Sequence, residues 1–151
     1  MILTLAIGSL MIMGNMIIQV LAVVVLVRMF AQRIEKFRHG RGFGFDVRVV
    51  STVMLVLFAG HILQFATWAM LFVWLDQFED FATAFYHSTV NFTSLGYGDI
   101  VMSPQWRLLG GLEAANGVLM FGLSAGTLLS VMNRLFNRHV EAVSERRDRS
   151  A

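Results

Sequence analysis

Seven residues near the middle of the chain, Thr93-Ser94-Leu95-Gly96-Tyr97-Gly98-Asp99, carry the chemistry that the rest must position. That chemistry belongs to the backbone. Gly96 and Gly98 can take positive φ values that L-residues avoid. An alternating Gly-Tyr-Gly segment can therefore turn successive carbonyls to one side. A row of carbonyl oxygens with no side chain between them is a cation-coordinating wall.

Other chemistries find little support. The histidines His39, His61, His87 and His139 are scattered along the chain, and no His/Glu spacing resembles a zinc motif. An enzyme is not expected, nor a cofactor. Cysteine is absent, which excludes disulfides and thiolate metal sites. The 151 residues are 56% hydrophobic and only 15% charged. An average soluble domain is about 45–50% apolar and about 25% charged, so this chain needs lipid or a very large partner surface around it.

The elements that would hold the heptad read as follows. Residues 1–27 are apolar except for Thr4, Ser9, Asn15 and Gln19, carry no charge, and are long enough to cross a bilayer. A cleavable signal peptide fits less well, because there is no basic n-region. Residues 28–48 form a basic linker with Arg28, Arg33, Lys36, Arg38, Arg41 and Arg48. Its Arg41-Gly42-Phe43-Gly44-Phe45 begins like an RNA-binding segment, but Asp46 and Arg48 break the pattern. No nucleic acid is expected, and contact with anionic lipid headgroups is the better reading. Residues 49–75 form a second span, with His61, Gln64 and Thr67 on one face. Those three serve helix–helix hydrogen bonding or, less simply, proton sensing. Residues 80–92 are too few to cross and read as a re-entrant helix with Asp80 as N-cap. Its C-terminus, partially negative, would point at the heptad and favour a cation there. Residues 104–132 form the third span, opened by Pro104, and residues 133–151 form a polar tail.

Charge placement predicts the topology. Eleven of the twelve Lys and Arg residues fall in the linker and the tail, Arg107 being the other. The positive-inside rule puts the linker and C-terminus in the cytoplasm, and the N-terminus and heptad outside. The expected location is the plasma membrane, or the inner membrane of a bacterial cell.

The order of span, acidic turn, short helix, Thr-Ser-Leu-Gly-Tyr-Gly-Asp and span resembles the pore module of potassium channels, over about residues 49–132. The resemblance implies an all-α membrane protein: three transmembrane helices, a re-entrant pore helix and an extended selectivity filter, assembled as a homotetramer. It implies potassium as the permeant ion, held at Ser94, Leu95, Gly96 and Tyr97, with Gly98 closing the filter and Thr93, Tyr86 and Asp99 supporting it. Val118, Phe121 and Ala125 would line a cavity, and Leu129 or Asn133 would sit at the inner constriction. Gly117 falls at the hinge of the inner helix, although small-residue packing explains it equally. Ser94 and Leu95 stand where relatives have threonine and valine, which keeps a non-selective cation channel as the alternative. A non-conducting membrane scaffold is the more distant one. The first span has no counterpart in the module and no arginine ladder, so a voltage sensor is not expected.

Glu113 is an acid inside a span. It either braces the pore helix or tunes conduction by its charge, with His61 or a pore-helix hydroxyl such as Ser88 as partner.

Overall fold

The computed structural model describes residues 1–34 and 43–150. These form α1 (Ile2–Ile34), α2 (Phe43–Trp74), α3 (Phe81–Phe92) and α4 (Arg107–Ser150). Among the described residues there is no strand. Three helices are long and apolar enough to cross a membrane, at Ile2–Met29, Gly44–Trp74 and Arg107–Val140. The expected all-α membrane architecture is therefore the one observed.

Several boundaries differ from the sequence reading: α1 continues to Ile34 rather than ending near Val27, and α4 begins at Arg107, after a turn through Pro104, rather than at Pro104 itself. The helix that carries the second span starts at Phe43 rather than Val49. The third helix continues through the polar tail to Ser150, because Arg, Glu and Ala are good helix formers whatever their polarity. Its extension returns beside the start of α2, where His139 Nε2 lies 3.4 Å from Asp46. Phe43, Gly44 and Phe45 of the RNA-binding-like segment are the first turn of α2. Lys36, Arg38 and Arg41, on which the anionic-lipid reading rests, lie outside the described residues.

Helix α2 ends in a Schellman turn. Asp76 N donates to Val73 O, Gln77 N donates to Phe72 O, and Asp76 takes a left-handed φ of 52°. Asp is one of the few non-glycine residues that tolerate this. Asp80 then caps α3: Thr83 N donates to Asp80 Oδ1 at 2.8 Å and Thr83 Oγ1 to Oδ2 at 2.7 Å. These bonds hold the Asp80 carboxyl below its usual range. The 12 residues of α3 span ~18 Å, too little to cross a bilayer core of ~30 Å.

Helix α1 packs against both α2 and α4, and α3 lies between α2 and α4. The buried positions of α1 are Thr4, Gly8, Asn15, Gln19 and Leu26. With half-buried Met11 and Ala22 they recur at three- and four-residue steps, the pattern of a helix-packing seam. Gly8 abuts Leu112 and Gly60 abuts Ala22. Gln19 meets Ser124 and Gln64. These contacts make α1 parallel to α4 and antiparallel to α2.

The core centres on the end of α3. Phe92 is fully buried, with ring centroids 5.0 Å from Phe65 and 5.8 Å from Phe121. Gly117 of α4 faces the backbone of this residue, and a Cβ there would collide with the Phe92 carbonyl. The glycine lets α4 approach the point where α3 hands over to the heptad. The prediction is a matter of sign. If Gly117 served only to loosen α4, alanine would stabilise the helix by ~1 kcal/mol. The close approach instead predicts that Gly117→Ala destabilises the protein by about 1–3 kcal/mol, read as a lower thermal midpoint in detergent.

Candidate functional site

Residues 93–98 leave α3 and turn back along it. Thr93 N donates to Thr89 O at 3.2 Å and Ser94 N to Asn91 O at 2.8 Å. Leu95 N and Gly96 N both donate to Val90 O, at 3.0 and 3.3 Å. The peptides here are trans. In a trans peptide the N–H and C=O point in opposite directions. With the amides of Leu95 and Gly96 aimed at α3, the carbonyls of Ser94 and Leu95 must point away from it. Handedness extends this arrangement. Ser94, Gly96 and Gly98 have φ of 58°, 59° and 72°, while Leu95 and Tyr97 between them do not have positive φ. Alternating hands keep successive carbonyls on one side of an extended segment. Ser94 holds a conformation uncommon for a residue with a Cβ, a strain that surrounding contacts must offset.

Those contacts come from the middle and C-terminal end of α3 and from the end of α2. The Thr93 hydroxyl donates to Thr89 O at 2.7 Å. Tyr86 OH donates to Asp99 Oδ2 at 2.8 Å. That bond raises the phenol above its ordinary range, so Tyr86 stays protonated and donating. His87 Nδ1 lies 3.0 Å from Ile100 O, which can only accept, so Nδ1 carries the proton. Nε2 of the neutral ring then accepts from Asn91 Nδ2 at 2.8 Å. The ring packs against Phe72 and Phe78, with centroids 5.5 and 4.7 Å away. Gln77 Oε1 accepts from Ser103 N and Oγ, at 3.1 and 2.8 Å, tying the returning loop to the end of α2. Sequence reasoning set Tyr86-His87 where relatives of the potassium-channel pore carry bracing tryptophans, but passed over Asn91 and Gln77 as supports. The i, i+4 spacing of His87 and Asn91 was the available signal.

Glu113 is fully buried and meets Ser88, not His61. The single Ser88 hydroxyl proton has two acceptors near it, Glu113 Oε1 and, at 2.9 Å, Phe65 O. The carboxyl can accept from Ser88 Oγ or, when it carries a proton, donate to it and leave the hydroxyl proton to Phe65 O. Asn116, one turn along α4, is also fully buried. His61 instead bonds Gln64 and Ser124.

The predicted cavity residues Val118, Phe121, Ala125, Leu129 and Asn133 are all uncovered in the single chain. Leu119, Leu123 and Met132 are uncovered as well, so exposure alone does not distinguish a pore-facing side. Phe121 leans back on His61, with ring centroids 4.6 Å apart. Ser94, Leu95, Gly96, Tyr97 and Gly98 are likewise exposed. Among the described residues there is no group of three or more His, Cys, Asp or Glu that could hold a metal ion.

A family described as "Ion channel" matches residues 51–134, more than half of the chain, from early α2 through most of α4. Potassium voltage-gated channel subfamily A member 2 of Oncorhynchus mykiss is 33% identical over 101 residues, 64% of this chain and 20% of its own. Potassium voltage-gated channel protein Shal of Drosophila melanogaster is 29% identical over 76 residues, 50% of this chain and 13% of its own. The chain thus spans a fifth or less of the length of these relatives. No solved structure gives a significant match.

Two outcomes follow from the supports. Burial holds the His87 imidazole below its ordinary 6.5, outweighing the raising effects of the Ile100 carbonyl and the Asp99 carboxylate. The unfolded chain therefore binds this proton at higher pH than the folded one. The contribution of His87 to stability is complete above 6.5 and is lost as pH falls through the lower, folded value. The thermal midpoint is expected to start falling just below 6.5, before Asp80, with its ordinary 3.8, takes any part. His87→Gln should flatten that segment of the curve. Glu113→Gln, which keeps a donor towards Ser88, should melt within about 1 kcal/mol of the parent, whereas Glu113→Leu should lose about 1–3 kcal/mol by stranding buried groups.

Proposed function

The chain belongs to the ion-channel family, and on that premise we propose that it is the pore-forming subunit of a potassium-selective channel acting as a homotetramer. The observation that carries this reading is the orientation of the heptad backbone. Amides of Leu95 and Gly96 are consumed by Val90 O, which leaves the carbonyls on the other side free for an ion. Four copies around one axis would turn these exposed segments towards each other. The carbonyls of Ser94, Leu95, Gly96 and Tyr97, with the Ser94 hydroxyl, would then replace the hydration shell of a dehydrated potassium ion. The partially negative end of α3 favours a cation on the same axis. Tyr86, His87 and Asn91 hold the segment at its width, so that the oxygens do not collapse onto a smaller ion. Orientation follows the charges, with the basic ends cytoplasmic and the filter outside the plasma membrane.

Within the channel class one rival has an observation behind it. Leu95 is not β-branched and leaves its backbone less stiff than valine would, and Ser94 lacks the methyl of threonine. These favour a looser, non-selective monovalent cation pore. Planar-bilayer recording of the purified protein, with potassium on one side and sodium on the other, separates the two. We expect a reversal potential close to that of potassium, and a zero shift on exchanging the ions would reject selectivity. Gly96→Ala is expected to abolish current, because φ of 59° is strained for any residue with a Cβ. No flux from correctly assembled protein would favour a scaffold.

A further inference from the structure

Helix α1 lies outside the matched residues, and neither the filter nor the cavity uses it. Yet its buried seam carries two amides into the hydrocarbon layer, where unpaired polar groups are costly. Their partners form a closed ring. Gln19 Nε2 donates to Ser124 Oγ at 2.7 Å. Gln64 Nε2 donates to Gln19 Oε1 at 3.2 Å. His61 Nδ1 is 2.9 Å from Gln64 Oε1, and His61 Nε2 is 3.0 Å from Ser124 Oγ.

Chemistry alone sets the protons. An amide oxygen only accepts, so His61 Nδ1–H donates to Gln64. Nε2 of the neutral imidazole is then an acceptor, and the Ser124 hydroxyl donates to it. Ser124 in turn accepts from Gln19. Donation thus runs in one sense around four side chains, Gln19 to Ser124 to His61 to Gln64 and back to Gln19. Each member both gives and receives, so each bond polarises the next. Gln64 Nε2 also reaches Asn15 O at 3.1 Å, and Thr67 Oγ1 donates to Asn15 Oδ1 at 2.9 Å, which fixes α1 to α2 alongside the ring.

The three helices contribute unequally. Residues of α1 and α2 supply three ring members and the flanking bonds. Helix α4 contributes only Ser124, two turns past Gly117 and on the segment that carries Phe121 and Ala125. We propose that α1 is a latch on this pore-lining segment: the ring holds α4 at Ser124 against the α1–α2 pair, and gating motion of α4 must draw Ser124 out of it. The proposal rests on the pore reading above. It assigns the first helix a part in gating, whereas a passive membrane anchor would need no bond to α4.

The test is a double-mutant cycle with Gln19→Met and Ser124→Ala, both close in volume to the parent. Each single variant should shift the ratio of open to closed time about tenfold, the worth of a buried hydrogen bond, in the same direction. The double variant should shift it no further than the larger single one, and Ser124→Thr, which keeps the hydroxyl, should stay near the parent. The reversal potential should not move in any of them. A second readout needs no current: amide hydrogen exchange across residues 118–132 should quicken in both single variants. Unchanged exchange, an unchanged open-to-closed ratio, or additive shifts would each overturn the latch. A parent that passes no ions would overturn the pore reading instead, and exchange would still decide whether the ring holds α4.

Discussion

Two demands meet at one short segment of backbone. Inside a membrane every peptide N–H and C=O must find a partner, yet the filter we propose needs carbonyls whose partner is a passing ion. The conflict is resolved at Val90. Its carbonyl takes the amides of Leu95 and Gly96, so the N–H groups are satisfied within the chain while the oxygens stay available. That arrangement requires α3 to end where it does, with its last carbonyls turned to the returning segment 93–98. The Asp80 cap, the length of α3 and the Thr93 hydroxyl all serve this placement. So does Phe92, which anchors the helix end in the core, and Gly117, which lets α4 come close enough to support it.

The same logic governs the polar residues further from the filter. Glu113 with Ser88 and the ring through Ser124 are buried groups given a partner by a different helix, while buried His87 is partnered by Asn91 on its own helix and by the loop at Ile100. Such pairs are weak as net stabilisers but costly to leave unmade. They therefore act as register marks. A slip of one turn between α1 and α4 would part Gln19 from Ser124, and a rotation of α3 would strand Glu113.

Much of this was legible in the chain itself. Apolar run lengths identify the three spans, because composition over some twenty residues suffices to recognise a crossing helix. The heptad and the acidic cap of α3 are local patterns, read over a few residues. Tyr86 and Asp99, thirteen residues apart and bonded here, needed the resemblance to be paired. The ring did not emerge, since it depends on the register of three helices that sequence spacing leaves undetermined. One signal was present: Thr4, Gly8, Asn15 and Gln19 share a face of α1, and His61, Gln64 and Thr67 share a face of α2. Either stripe alone reads as generic packing, and matched together they specify a partnership. The end of the third helix was misjudged at Met132 because falling hydropathy marks the edge of a membrane, not of a helix.

The polar stripe on α1 has a bearing on modularity. A pore module is commonly thought of as a separable unit, and here the matched residues begin at position 51. Cutting there would remove Asn15 and Gln19 and leave Gln64 Nε2 facing lipid without its acceptors, while Thr67 would keep only Gln64 O. The minimal heritable unit of this fold is therefore the pore together with its extra helix, and an exchange between relatives that moved one without the other would carry an unpaired amide into the bilayer.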